Sequence, residues 1–300
     1  MRPQNPRRAR PDSSSHTGPD ARQSPARMVL PNFFIVGVVK GGTGALHQYL
    51  SHHPEIFMSS IKEPRYFNVD PASRPDADQR LAEYGRLFEK AADYPVRGES
   101  TSSYFYDRAA IRRIRATVAN AKILVSLRNP VDRAFAHYCM NHRVREASDA
   151  ELLRGRSESW AAASLYADHL AACVADFGPA NVHVGIFEEW GKSPEEELRR
   201  VYRFLGVDES FVLPSGTHYR PAVPVWGRMA RSPLTRLAKR IIPRQALRRI
   251  NDVKFGLAGK PGTVSPAARQ EMLSWYRRDI ENVEQILGRS LEVWKVQAHL

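Results

Sequence analysis

Two rhythms of apolar residues run along the chain, and the changes between them mark the predicted elements. Phe33-Phe34-Ile35-Val36 is an unbroken apolar run, partly β-branched, that stops at Gly37. Such a run predicts a strand buried on both faces. After a glycine-rich turn, Leu46, Tyr49 and Leu50 recur at helical spacing, so a helix is predicted over residues 45–50. Further strands are predicted over 95–99, 122–127 and 182–187. Helical patterns occupy 78–88, 107–117, 130–145, 164–177, 193–205 and 265 to about 287. Ser193-Pro194-Glu195-Glu196 has the composition of a capping box with proline at the first helical position, and Ser265-Pro266 opens the last helix in the same way. Strands alternating with helices predict an α/β fold whose mostly parallel sheet is covered by helices on both faces.

Composition narrows this picture. The chain has 300 residues and a net charge of +13, and its 42% hydrophobic content includes 12 Phe, 11 Tyr and 5 Trp. That is enough to build a core and excludes wholesale disorder. No apolar run reaches the length of a membrane-spanning helix. Two cysteines, Cys139 and Cys173, cannot make a disulfide framework and fit a reducing compartment. The basic start of the chain lacks the apolar stretch of a signal peptide, so a cytoplasmic location is expected.

The charge is unevenly spread. Residues 1–28 are rich in Arg, Pro and Ser and are expected to form a disordered basic tail, which leaves 29–300 as a single domain. Residues 228–254 carry nine Lys or Arg and one acid, Asp252, interleaved with Leu234, Leu237, Ile241, Ile242, Leu247 and Ile250. This basic amphipathic stretch reads either as a solvated face or as a peripheral contact with an anionic surface. Charge alone offers the alternative of a nucleic-acid- or anionic-surface-binding protein. No nucleic-acid-binding motif accompanies it, and no nucleic-acid partner is expected.

The strongest chemical signal is Gly37-Val38-Val39-Lys40-Gly41-Gly42-Thr43-Gly44, between the first strand and its helix. Glycines let backbone N–H groups approach an anion, a helix N-terminus adds partial positive charge, and Lys40 adds a full one. The Walker spacing fails because Lys40 precedes Gly41-Gly42. The dinucleotide spacing fails because His47 stands where a third glycine belongs. A nucleotide kinase or NTPase with an irregular phosphate loop is the enzymatic alternative. It needs an acid to hold Mg²⁺, whereas the strand over 122–127 runs into Arg128.

These residues resemble the sulfotransferases that use 3′-phosphoadenosine-5′-phosphosulfate (PAPS), whose 5′-phosphosulfate loop follows the first strand as K-x-G-T. A second signature, R-N-P-x-x-R-A-x-S-x-Y, is similar to the run Arg128-Asn129-Pro130-Val131-Asp132-Arg133-Ala134-Phe135-Ala136-His137-Tyr138. Lys62-Glu63-Pro64-Arg65-Tyr66-Phe67 resembles the K-E-P-x-F segment of the bacterial and glycan-modifying branches. Gly98-Glu99-Ser100-Thr101-Ser102-Ser103-Tyr104 resembles their G-E-x-S-P-x-Y stretch, and the run from Leu287 to Trp294 their common close.

The resemblance implies a P-loop-like three-layer fold and sulfuryl transfer from PAPS to a hydroxyl-bearing acceptor, with no metal. It implies that Lys40, Gly41, Gly42, Thr43, Gly44 and Ala45 cradle the 5′-phosphosulfate. Lys40 neutralises the leaving oxygen, Arg128 reads the 3′-phosphate, and Glu63 is the general base. His137 and the pair His52-His53 are the other candidate bases. Arg133, Tyr138 and Tyr166 are expected to pack or to line the cleft. Two departures stand out: Ala136 replaces a phosphate-binding serine, and Ser100 replaces a lysine common in the glycan branch.

Overall fold

The computed structural model describes residues 28–142, 144–191, 193–217 and 262–295. The tail up to residue 27 and the basic stretch 228–254 lie outside the described residues.

Five strands make the central sheet: β1 (Phe33–Gly37), β2 (Ile56–Met58), β3 (Val96–Ser100), β4 (Lys122–Leu127) and β5 (Val182–Ile186). Their spatial order is β2-β3-β1-β4-β5, and every neighbouring pair is parallel. β1 is central and buried along its whole length, which is why its sequence is apolar without alternation. The chain leaves β1 toward one edge of the sheet and leaves β4 toward the other. The adjoining carboxyl ends of β1 and β4 are therefore a point where connections diverge, the place where open α/β sheets hold ligands.

Successive side chains of each strand enter opposite layers. Phe34, Val36, Ile123, Val125 and Leu127 join one core with α3 (Arg108–Thr117), α4 (Pro130–His142), α7 (Ala167–Phe177) and α10 (Pro266–Leu287). Phe33, Ile35 and Leu124 join the other, against α1 (Thr43–Leu50) and α9 (Glu195–Leu205). This is the expected three-layer arrangement.

The other α-helices among the described residues are α2 (Ala77–Arg86), α5 (Asp149–Arg154), α6 (Ser159–Ala162), α8 (Phe187–Trp190) and α11 (Glu292–Lys295). Several local expectations need correction. The helix expected from 164 starts at Ala167, because Ser164 is buried and bonds the Pro130 carbonyl instead of opening a helix. α4 ends at His142 rather than at 145, and β5 stops at Ile186, where α8 begins. No capping box forms at Ser193: α9 starts after Pro194 without a side-chain cap. A full box instead joins Ser148 and Glu151 at the start of α5, which the sequence reading omitted along with β2 and α6. Ser265 caps α10 as expected, accepting from the Ala268 amide.

Candidate active site

The loop from β1 to α1 is shaped by backbone contacts. Val38 N donates to the Ser126 carbonyl at 3.0 Å, and the Ser126 hydroxyl donates back to the Gly41 carbonyl. A Cβ on Gly41 would stand 2.3 Å from the Ser126 oxygen. Gly42 is left-handed at φ +91°, and its Cβ would stand 2.6 Å from the Phe187 ring. Only glycine fits either position. Of the five amides expected to cradle an anion, Gly41 N is spent on the Val38 carbonyl and Ala45 N on the Gly42 carbonyl, both at 2.9 Å. The amides of Gly42, Thr43 and Gly44 have no acceptor among the described residues, which leaves these three free at the start of α1.

Arg128 follows β4, and its carbonyl and one face of its guanidinium are held by neighbours. The Tyr166 hydroxyl donates to its carbonyl at 2.8 Å, and its guanidinium lies 5.1 Å from the centre of the Phe187 ring. Asn129 N donates to Glu188 Oε1 at 2.9 Å, while Asn129 Oδ1 accepts from the amides of Val131 and Asp132 and so caps α4. The chain's closing segment braces this corner: Trp294 is fully buried, its indole donates to Glu188 Oε2 and its carbonyl accepts from Asn129 Nδ2.

Arg128 Nη1 donates to the Lys40 carbonyl at 3.3 Å, so the two cationic residues are neighbours. Burial, reinforced by the Arg128 charge, lowers the Lys40 pKa. Arg128 Nε is buried without a hydrogen-bond partner among the described residues. An unspent charged donor, an uncomfortable ammonium and three free amides suit a ligand with two separated anionic groups.

The second loop presents Glu63. Its backbone is left-handed at φ +59°, as is that of Arg65 at +56°. Lys40, at +67°, is the other non-glycine residue in this conformation among the described residues. All three border the carboxyl ends of β1 and β3. Ser102 donates to the Glu63 carboxylate through its hydroxyl at 2.7 Å and its amide at 3.2 Å, and Lys62 Nζ lies 3.0 Å away. Burial would raise the Glu63 pKa, but Lys62 and the Ser102 bonds outweigh it and the net shift is downward. The ion pair with Lys62 exists, and it accompanies the Ser102 bonds rather than replacing them. No hydrogen bond or ion pair joins Glu63 to Lys40 among the described residues. Ser100, at the end of β3, is fully buried with its hydroxyl unpartnered.

The histidines separate cleanly. His53 is buried, with Nε2 on the Asp208 carbonyl and Nδ1 accepting from Glu55 N, so it serves the fold; His52 is exposed. His137 Nδ1 lies 3.1 Å from Arg133 Nη1. Arg133 is fully buried and also donates to the Ser164 hydroxyl and the Trp160 carbonyl. Its guanidinium is permanently protonated, so His137 Nδ1 accepts and the imidazole proton sits on Nε2. Burial, then Arg133 and Lys40, lower the His137 pKa to about 4. With Nδ1 taken by Arg133, the His137 ring presents Nε2–H as a donor. Sequence reasoning missed His47, one helical turn beyond Thr43. Its Nδ1 is buried and unpartnered, and burial and the Lys62 charge lower its pKa to about 4. The i,i+4 spacing from Thr43 was the available signal.

Residues 79–210 match a family model described as "Sulfotransferase family". That span includes Glu99, Arg128 and α4; Lys40 and Glu63 precede it. The chain is 32% identical over 210 residues to heparan sulfate glucosamine 3-O-sulfotransferase 6 of Homo sapiens, covering 66% of this chain and 59% of that protein. It is 32% identical over 215 residues to heparan sulfate glucosamine 3-O-sulfotransferase 3B1 of Mus musculus, covering 68% and 52%. The chain therefore spans somewhat more than half the length of these curated relatives. Among solved structures, a sulfotransferase from Alicyclobacillus acidocaldarius is similar with a TM-score of 0.66 at 26% identity, covering 89% of this chain and 100% of that one.

Proposed function

We propose that this chain, which belongs to the sulfotransferase family, moves the sulfuryl group of PAPS onto a hydroxyl of a glycan, glycolipid or small-molecule acceptor. The observation that supports the reading is the bond from Arg128 Nη1 to the Lys40 carbonyl, which makes the two cationic motifs neighbours. The names of the curated relatives support a glycan hydroxyl among these acceptors.

The bound nucleotide supplies a sulfuryl group whose bridging oxygen leaves with 3′,5′-bisphosphoadenosine. The chain supplies position and charge, which dominate this type of in-line transfer. The free amides of Gly42, Thr43 and Gly44 receive the 5′-phosphosulfate, and the partly dehydrated Lys40 ammonium neutralises the leaving oxygen. Arg128 offers Nε and its remaining N–H groups to the 3′-phosphate. Glu63, ionised at neutral pH, takes the acceptor's hydroxyl proton as the new S–O bond forms. His137 presents Nε2–H as a further donor beside Lys40. Two free thiols, Cys139 and Cys173, support a reducing, cytoplasmic setting as part of the same proposal.

The test is transfer of label from ³⁵S-PAPS, with EDTA present, to glycan, glycolipid and small hydroxyl acceptors. The expected result is labelled acceptor with one bisphosphoadenosine released per transfer, reduced about 10²- to 10³-fold in Lys40→Ala. Label that stays on the nucleotide with every acceptor, in a protein that binds the bisphosphate, overturns the reading.

A further inference from the structure

Behind the Glu63 turn lies a carboxyl group that the proposed chemistry does not use. Glu99, on β3, is fully buried beside the apolar cluster of Phe34, Phe67, Tyr84 and Tyr104. The Tyr84 hydroxyl donates to its Oε1 at 3.0 Å and the Thr101 hydroxyl to its Oε2 at 2.9 Å. No ion pair joins it to a cation among the described residues. A buried carboxyl without a counter-ion is costly to keep, so its place invites a reason.

The bonds around it supply one. The Thr101 oxygen that donates to Glu99 also accepts the Arg65 amide at 3.3 Å. On either side of Thr101, the Ser100 carbonyl accepts Glu63 N at 2.8 Å, and Ser102 binds the Glu63 carboxylate. Three successive residues after the core of β3 therefore grip the left-handed turn at 63–65. The middle one is itself gripped from beneath by Glu99. The Tyr104 hydroxyl adds a parallel tie, accepting Phe67 N at 3.2 Å.

We propose that Glu99 is a positioning residue which, acting through Thr101, fixes the turn that aims Glu63 at the acceptor. This rests on the reading of Glu63 as the acceptor-side carboxylate. With Glu99 ionised, the chain runs from Arg65 N–H to Thr101 O–H to carboxylate, each bond polarising the next and the last being charge-assisted. A proton on Glu99 makes that last bond neutral or forces one of the hydroxyls facing it to swing away. Either change loosens the turn.

The switch lies in a useful range. Burial pushes the Glu99 acid up to about 7, against the Thr101, Tyr104 and Tyr84 hydroxyls and with the Glu63 charge adding to the rise. Its titratable neighbours do not compete: Tyr84 on α2, Tyr66 stacked on it and Tyr104 are all shifted upward and stay protonated, while Glu63 is shifted downward and stays ionised. The turn is therefore held more firmly as pH rises through about 7.

The test is amide hydrogen exchange on the full chain from pH 5.5 to 8.5, corrected for intrinsic rates. Protection at the Glu63 and Arg65 amides is expected to rise about tenfold across neutrality in the wild type, the difference between a neutral and a charge-assisted bond. It is expected to be flat with pH in Glu99→Gln and low at every pH in Thr101→Val, with α10 unchanged in both. A pH-dependent rise that survives Glu99→Gln, or a Thr101→Val loss spread evenly over the chain, overturns the proposal. Calorimetry with 3′,5′-bisphosphoadenosine separates the two readings. The Glu99-dependent rise in a protein that binds no bisphosphate leaves the positioning role standing and sinks sulfuryl transfer. Tight bisphosphate binding without the rise does the reverse.

Discussion

The two loops at the carboxyl ends of β1 and β3 are built by opposite means. The loop carrying Lys40 is shaped by what is missing: Gly41 and Gly42 leave room for Ser126, Phe187 and Trp190, and backbone bonds do the rest. The turn carrying Glu63 is shaped by what is present, since Ser102, Thr101 and Ser100 reach it through side chains and a carbonyl from nearly forty residues away. A loop built from local backbone geometry leaves its mark in a short stretch of sequence. One built from distant side chains leaves almost none. On the proposed function the first loop serves the nucleotide and the second the acceptor, so the two can be broken separately.

That division is sharpened most by Glu63→Gln. Loss of the carboxylate is expected to lower kcat about 100-fold, the lower end of general-base effects, while leaving the bisphosphoadenosine Kd within about twofold. Because the Glu63 pKa is lowered, the wild-type rate should lose this group's contribution only as pH falls below the ordinary carboxylate range. The same depressed pKa makes Glu63 stabilising above the unfolded-state value, a contribution lost as pH falls through the folded one. Equal kcat in the two proteins would assign the base elsewhere. A smaller change is expected on the donor side: Ala136→Ser should tighten bisphosphoadenosine binding a few-fold, by adding one hydroxyl toward a charged phosphate, without changing adenosine monophosphate affinity. Equal tightening of both nucleotides would place residue 136 away from the 3′-phosphate.

The legible part of the molecule follows the same division. β1 was readable because burial on both faces leaves an unbroken apolar run, and Lys40 and Arg128 stood out because each follows a strand within a recognisable local pattern. β2 was not, since Ile-Phe-Met is too short to show a period. The capping box at Ser193 was misplaced because Pro194 stands outside α9, while the pair Ser148 and Glu151, with the same spacing, formed one. His137 looked like a base in isolation; its tautomer is set by Arg133, whose own bonds run to Trp160 and Ser164 on a different part of the chain. The tie from Glu99 to Thr101 to Arg65 joins β3 to a turn more than thirty residues earlier, and no local spacing signals it.

Sulfuryl transfer as proposed requires Lys40 and Arg128 to serve a single nucleotide. Isothermal titration of 3′,5′-bisphosphoadenosine and adenosine monophosphate into wild type and Arg128→Ala tests this directly. The expected result is a preference for the bisphosphate of about tenfold or more in the wild type, which disappears in Arg128→Ala. Equal affinity for the two nucleotides in the wild type, or a preference that survives the loss of Arg128, contradicts it.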